Sequence, residues 1–313
     1  MSVRLAPPIR LLATFVSLAL ATAPLSMAAD SGNAGSGESV LAKSEDATYQ
    51  LRHQLSPEQT IRYKVTHVAK TKTRMNGTEE IANVYTTSVR SWKVQNVNEQ
   101  EITFDHQIDS VEMTQQNGDK DEIRWDSRTG EKPPAAFRVV ADQIGTPLAT
   151  VTIDAKGTEL DRESHAGSKA SLGMGSLTLS LPADPVAIGD KWTVPSEIKA
   201  RTDDQQVKTI KIRQVYTLKK VSAGVATISV KSQTLTPIHS ESLRAQVVQQ
   251  LSDGSIRFDV DNGYLLSKQL DWDETVVGFQ GPGSMMEYRA KMNEELINDD
   301  VVLSAVKSKK PLR

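Results

Sequence analysis

From Tyr49 onward the chain alternates apolar and polar residues with a period of two, the repeat of extended backbone whose side chains project to opposite faces. The stretch from Thr60 to Arg74 places Ile61, Tyr63, Val65, His67 and Ala69 on one face, and Asn76-Gly77 follows. That pair predicts a tight hairpin, because both residues tolerate the positive φ of a type I′ turn. Val84 to Val97 returns with Val89, Ser91, Lys93, Gln95 and Val97 on one side and Trp92, Val94 and Asn96 on the other. Ile102, Phe104, His106, Ile108 and Val111 continue the meander until Pro133-Pro134 ends it. Phe137, Val140, Ala141 and Ile144 then fall at the three-and-four spacing of a short amphipathic helix, stopped by Gly145. A second hairpin is predicted as Ala149 to Asp154, a turn at Lys156-Gly157, and Thr158 to Leu160.

The later part repeats this order. Gly189 to Val194 sits where the first part has Gln59 to Val65, and Val215-Tyr216-Thr217 matches Val84-Tyr85-Thr86. Ala226-Thr227-Ile228 follows where Ile102-Thr103 stood, and Phe137 to Leu160 aligns with Leu243 to Leu265 with one residue deleted, bringing Gly157 near Gly263. Leu243, Val247, Val248 and Leu251 predict a helix over Glu241 to Leu251, with a strand as the alternative. Met286, Tyr288, Ala290 and Met292 alternate with Glu287, Arg289 and Lys291, so this stretch pairs with Leu266 to Val277 as a long hairpin across a Gly-rich loop. The expected fold is mainly β, with long antiparallel hairpins forming curved sheets, as a half-open barrel or a sandwich, in two pseudo-repeats with one or two short helices.

The first residues break the pattern. Arg4 and Arg10 precede and flank an apolar run from Leu11 to Leu20, and small residues lead to Ala28, the layout of a cleavable secretory signal. Pro24 and Ser26 interrupt the run short of the roughly 20 residues that span a bilayer. The chain therefore divides into a signal at 1–28, a flexible linker at 29–47, a first β half at 48–186, a second at 187–297, and a basic tail at 298–313 that includes Lys307, Lys309, Lys310 and Arg313. The expected location is secreted or periplasmic, with no stable membrane span after cleavage. The absence of cysteine excludes disulfides, thiolate zinc, thiol catalysis and a bacterial lipoprotein anchor. Loss of Arg4 and Arg10 takes the net charge of −2 down to −4, and a mildly acidic chain lacks the footprint of a nucleic-acid binder.

Candidate chemistry is sparse. His53, His67, His106, His165 and His239 show no pairwise spacing that a helix or hairpin would turn into a zinc site, and no metal or other cofactor is expected. Asp259, Asp261, Asn262 and Gly263 open like a calcium loop, but the twelfth position is Leu270 rather than glutamate, and a hairpin turn accounts for them. Asp271, Asp273 and Glu274 around Trp272 read as acids facing outward on a strand. Gly173-Met174-Gly175-Ser176 fits neither a nucleophile elbow nor a phosphate loop.

What remains is shape. Tyr63, Trp92, Phe104, Trp192, Tyr216, Trp272 and Tyr288, with Leu270, are the candidate lining of an apolar pocket, with simple core packing as the alternative. Met174, Met285, Met286 and Met292 would soften such a wall. Pro185-Val186 leading to Gly189-Asp190-Lys191-Trp192, and the hairpin Phe258 to Leu265, resemble families of secreted bacterial proteins of unknown function. The layout is also similar to periplasmic lipoprotein-carrier folds, in which a curved sheet closes over helices to shelter acyl chains. That resemblance implies a fold and transfers no binding residue. The expected function is a non-catalytic envelope protein that binds a lipid or other apolar ligand within a curved sheet. The alternatives are a structural module recognising another envelope protein and an uncharacterised hydrolase.

Overall fold

The computed structural model describes residues 47–165, 177–204 and 206–297. The predicted signal, the linker up to residue 46, the basic tail and the Gly173–Ser176 loop lie outside these residues.

Alternation does become strand. The strands are β1 (Thr60–Met75), β2 (Thr78–Val97), β3 (Glu101–Asn117), β4 (Ile123–Asp126), β5 (Pro147–Asp154) and β6 (Glu159–Ser164), followed by β7 (Lys191–Arg201), β8 (Val207–Ser222), β9 (Val225–Thr234), β10 (Asp253–Asp259), β11 (Tyr264–Val277) and β12 (Met285–Leu296). Asn76 and Gly77 take φ of 51° and 82°, as a primed turn requires. A bulge opposite Val89 and Arg90 lets Ile108 and Val111, three positions apart on β3, face the same side. All pairings in the sheet are antiparallel, in the order β6-β5-β3-β2-β1-β12-β11-β10-β9-β8-β7, with β4 added to β3.

The predicted repeat appears as strand, strand, strand, helix, strand, strand. The first unit is β1, β2, β3, then α1 (Arg138–Ala141), β5 and β6; the second is β7, β8, β9, then α2 (Glu241–Val247), β10 and β11. The helices are shorter than predicted: a 3₁₀ turn at Ala135–Phe137 leads into α1, and another at Val248–Gln250 follows α2. Ser240 caps α2 by accepting from the Leu243 amide, whereas α1 has no side-chain cap and is a single turn. Two strands remain over: β4 adds to β3, and β12 pairs with β1 as well as β11, so the two units merge into a single twelve-stranded sheet with chain-distant strands at its centre.

The sheet is not closed into a barrel, yet it curls. Phe104 and Val151 from one flank and Leu218 and Ile228 from the other belong to one buried cluster, so the flanks approach each other across the concave face. Two irregular segments fill the gap. Residues 49–55 contribute Leu51 and Leu55, residues 177–186 contribute Leu179, Leu181 and Val186, and the two are tied by reciprocal hydrogen bonds between Tyr49 and Val186. His53 at 3% exposure sits between them, with Nε2 2.9 Å from the Leu179 carbonyl and its ring edge on Phe258.

Candidate functional site

Strand parity divides the concave face into three levels. At the closed level Tyr63, Trp92 and Phe104 pack together, with Trp92 stacked on Phe104 at 4.8 Å and Tyr63 edge-on to Trp92 at 5.3 Å. Trp192 stacks on Tyr216 at 5.4 Å nearby. Their polar tips are used internally: the Tyr63 hydroxyl donates to the Leu265 carbonyl, the Trp192 indole N–H to the Ser180 carbonyl, and the Tyr216 hydroxyl to Gln214. Burial pushes the Tyr63 and Tyr216 phenols well above their ordinary value. Five of the seven predicted aromatics therefore gather in one densely packed region.

The other two, Trp272 and Tyr288, stand at the opposite end of the same face, in a smaller cluster with Ala69, Val248, Val276, Phe279 and Ala290. Burial raises the Tyr288 phenol to about 12. Here the helices act as lids over the flanks. α1 and its preceding turn set Phe137 and Val140 on Ile108, Val111 and Met113, and α2 sets Leu243 and Val247 on Ile198, Ile210 and Ile212. Neither helix makes a substantial contact with β1 or β2. Between the lids the concave floor is Ala69, Thr71 and Thr73 of β1, Ala82, Val84 and Thr86 of β2, Met286 and Met292 of β12, and Leu270 of β11, brought side by side by register. Ala82, Val84, Thr86, Met286, Met292 and Leu270 are only half-buried. The result is an open trough floored by small, branched and thioether side chains.

A polar belt separates the two ends, and sequence reasoning missed most of it. Arg90 and Ser88 of β2, His67 of β1, His106 of β3, Glu294 of β12 and Lys268 of β11 all share the parity of the concave face. Lys268 donates to Glu294 at 2.6 Å. On the flank, Arg162 of β6 is bound by Glu159. The signal was present: Arg90 has the parity of Trp92, and Lys268 and Glu294 that of Leu270 and Met292. Burial lowers the pKa of both His67 and His106, with neighbouring Arg90 lowering each further; His106, also near Arg162, falls to about 3 and stays neutral.

The remaining candidates dissolve into structure. His165 lies at 2.9 Å from the Thr150 hydroxyl, which donates to Asp105, and no two of His53, His67, His106, His165 and His239 are hydrogen-bonded to each other among the described residues. Asp259 accepts from the Asp261 and Asn262 amides and from the Asn262 side chain, so its carboxylate is consumed by the turn in which Gly263 adopts φ of +72°. Asp271 and Asp273 do face outward, paired to Lys291 at 3.6 Å and Arg289 at 3.1 Å. Glu274 does not: it shares the inner face of Trp272 opposite Tyr288, and burial raises its pKa. A separate recess of about 590 Å³ opens where β10 begins and β9 and β11 part, lined by Lys231, Gln233, Asp253, Asp271, Asp273 and Glu274. Its lining carries four carboxylates against one cation, Lys231, which pairs with Asp253 at 3.1 Å. Among the described residues no helix is long and apolar enough to cross a membrane.

Comparison with known proteins adds little chemistry. No curated protein matches the chain. A solved structure described as lipid-protein interactions in lipovitellin is similar with a TM-score of 0.41 and 9% identity over 78% of this chain; the match spans 26% of that chain. Residues 169–264, which include the second core-filling segment, β7, β8, β9, α2 and β10, match a family of unknown function (DUF6263).

Proposed function

We propose that this is a non-catalytic secreted or periplasmic envelope protein that shelters a lipid or other apolar ligand on the concave face of its sheet. The observation that carries this reading is the trough between the helices. Apolar side chains left half-exposed over neighbouring strands cost free energy in water, and covering them with an acyl chain recovers roughly 25 cal/mol per Å² of apolar surface. The trough, not the aromatic cluster, is the contact surface. Met286 and Met292 suit a ligand of variable shape, because unbranched thioethers repack easily.

The test is extraction of the purified full chain with organic solvent, followed by mass spectrometry, and titration with a fluorescent long-chain alcohol. Bound lipid mass and saturable binding are expected. Val84→Trp should weaken binding at least fivefold with an unchanged thermal midpoint. An empty extract together with no saturable binding would contradict the proposal.

A second reading, recognition of another envelope protein by strand addition, has one observation in its favour. Among the described residues β6 and β7 are edge strands with one neighbour each. The β7 edge, however, carries Lys191, Pro195, Glu197, Lys199 and Arg201, the charges and proline that discourage an added strand.

A further inference from the structure

The belt beneath the trough is not balanced. Lys268 is matched by Glu294 and Arg162 by Glu159, which leaves Arg90. Its Nε donates to the Ser88 hydroxyl at 3.1 Å, and among the described residues no carboxylate comes within 4 Å of its guanidinium. Arg90 is surrounded by protein but keeps part of its surface open, as a group lining a recess does. Glu294 acts on it only at longer range.

A second group points the same way. His106 is 1% exposed, and both ring nitrogens lack a hydrogen-bond partner among the described residues. A neutral imidazole carries one N–H, so a buried donor stands unused on the strand next to Arg90, with Trp92 opposite it in register. Buried donors of this kind are rare without a reason.

We infer that the belt is a head-group site, in which Arg90, assisted by His106, binds the carboxylate of a single-chain fatty acid whose tail lies in the trough. The inference rests on the proposed apolar-ligand function and adds the chemistry of the ligand's polar end. The planar guanidinium fork matches a carboxylate with two parallel hydrogen bonds. One unmatched positive charge fits a monoanion, whereas a phosphate monoester would bring nearly two negative charges. Tyr63 and Ile108 stand opposite Arg90 in register, so the contact is made beside apolar side chains, where a charge pair is stronger than in bulk water.

The experiment compares three probes on the full chain: palmitic acid, hexadecanol and hexadecyl phosphate. Wild type is expected to bind the acid at least tenfold more tightly than the alcohol and more tightly than the phosphate. Arg90→Met should erase the preference for the acid while changing alcohol affinity less than twofold. Equal binding of acid and alcohol by wild type would overturn the inference while leaving the trough intact; so would retention of the preference in Arg90→Met. Tighter binding of the phosphate overturns the choice of carboxylate. Failure of every probe to bind overturns the head-group site and the apolar-ligand reading together. Should Arg90→Met not fold, the wild-type ranking still decides, with Arg90→Lys expected to keep the charge but lose most of the acid preference.

Discussion

The same strands have two fates. At one end β1, β2 and β3 bury Tyr63, Trp92 and Phe104 almost completely, while further along β1 and β2, on the same face, Thr71, Val84 and Thr86 remain half-exposed. Alternation is identical at both ends, so periodicity alone does not decide burial. The difference lies in what covers the face. The closed end has two irregular segments laid into it, and the open end has helices over its flanks and, among the described residues, none over its middle.

Breaking the closed end should have the largest effect. Phe104→Ala removes a fully buried ring from the stack and is expected to cost about 3–5 kcal/mol in urea unfolding. Next comes the seating of the covering segments, which depends on two glycines in equivalent turns of the repeat. A Cβ on Gly263 would lie 2.3 Å from the Gln54 amide nitrogen, and one on Gly157 would lie 2.3 Å from the Leu179 carbonyl oxygen, both at positive φ. Gly263→Ala should cost about 2 kcal/mol or more and raise amide exchange in residues 49–55 first.

Two histidines of the belt and one of the covering segment give a pH signature. His53, His67 and His106 have folded pKa values below the ordinary 6.5, so the unfolded chain binds more protons as the solution becomes acidic. Their contribution is fully present above about pH 6.5 and is lost as pH falls, for His106 down to about 3, where Arg90 and Arg162 face it. Each group adds up to about 1.4 kcal/mol per pH unit to the slope. Urea midpoints measured from pH 7.5 to 4.5 should fall, and His106→Leu should flatten the slope by close to one proton. At the open end the smallest effect is expected: Val84→Ala should change stability by less than about 1 kcal/mol, because the side chain is only half-buried.

Much of the fold was legible along the chain. Asn76-Gly77, the alternation of Met286 to Met292 and the three-and-four spacing after Glu241 are local signals, and local geometry answers them. The pairing of β1 with β12 joins residues more than two hundred positions apart and has no local trace. Residues 49–55 and 177–186 have neither period, so their place inside the curl could not be read. The aromatic residues chosen as pocket lining were found by size, and size favours packing; beside Leu270, Met286 and Met292, which the sequence did mark, the floor consists of Ala, Thr and Val, which size does not single out. Arg90 went unnoticed and Glu274 was read as outward for another reason: a charge on a strand reads as outward unless its parity is checked against neighbours such as Trp92 and Trp272.

The contrast between the ends is tested most directly by methionine methyl resonances during titration with hexadecanol. Met75, Met286 and Met292 share the parity of the concave face toward its open end, and Met285 projects from the other face. Saturable shifts in those three signals with none in Met285 are the predicted result. A titration that leaves the three unmoved, or that moves Met285 alone, would contradict an open trough as the ligand's seat.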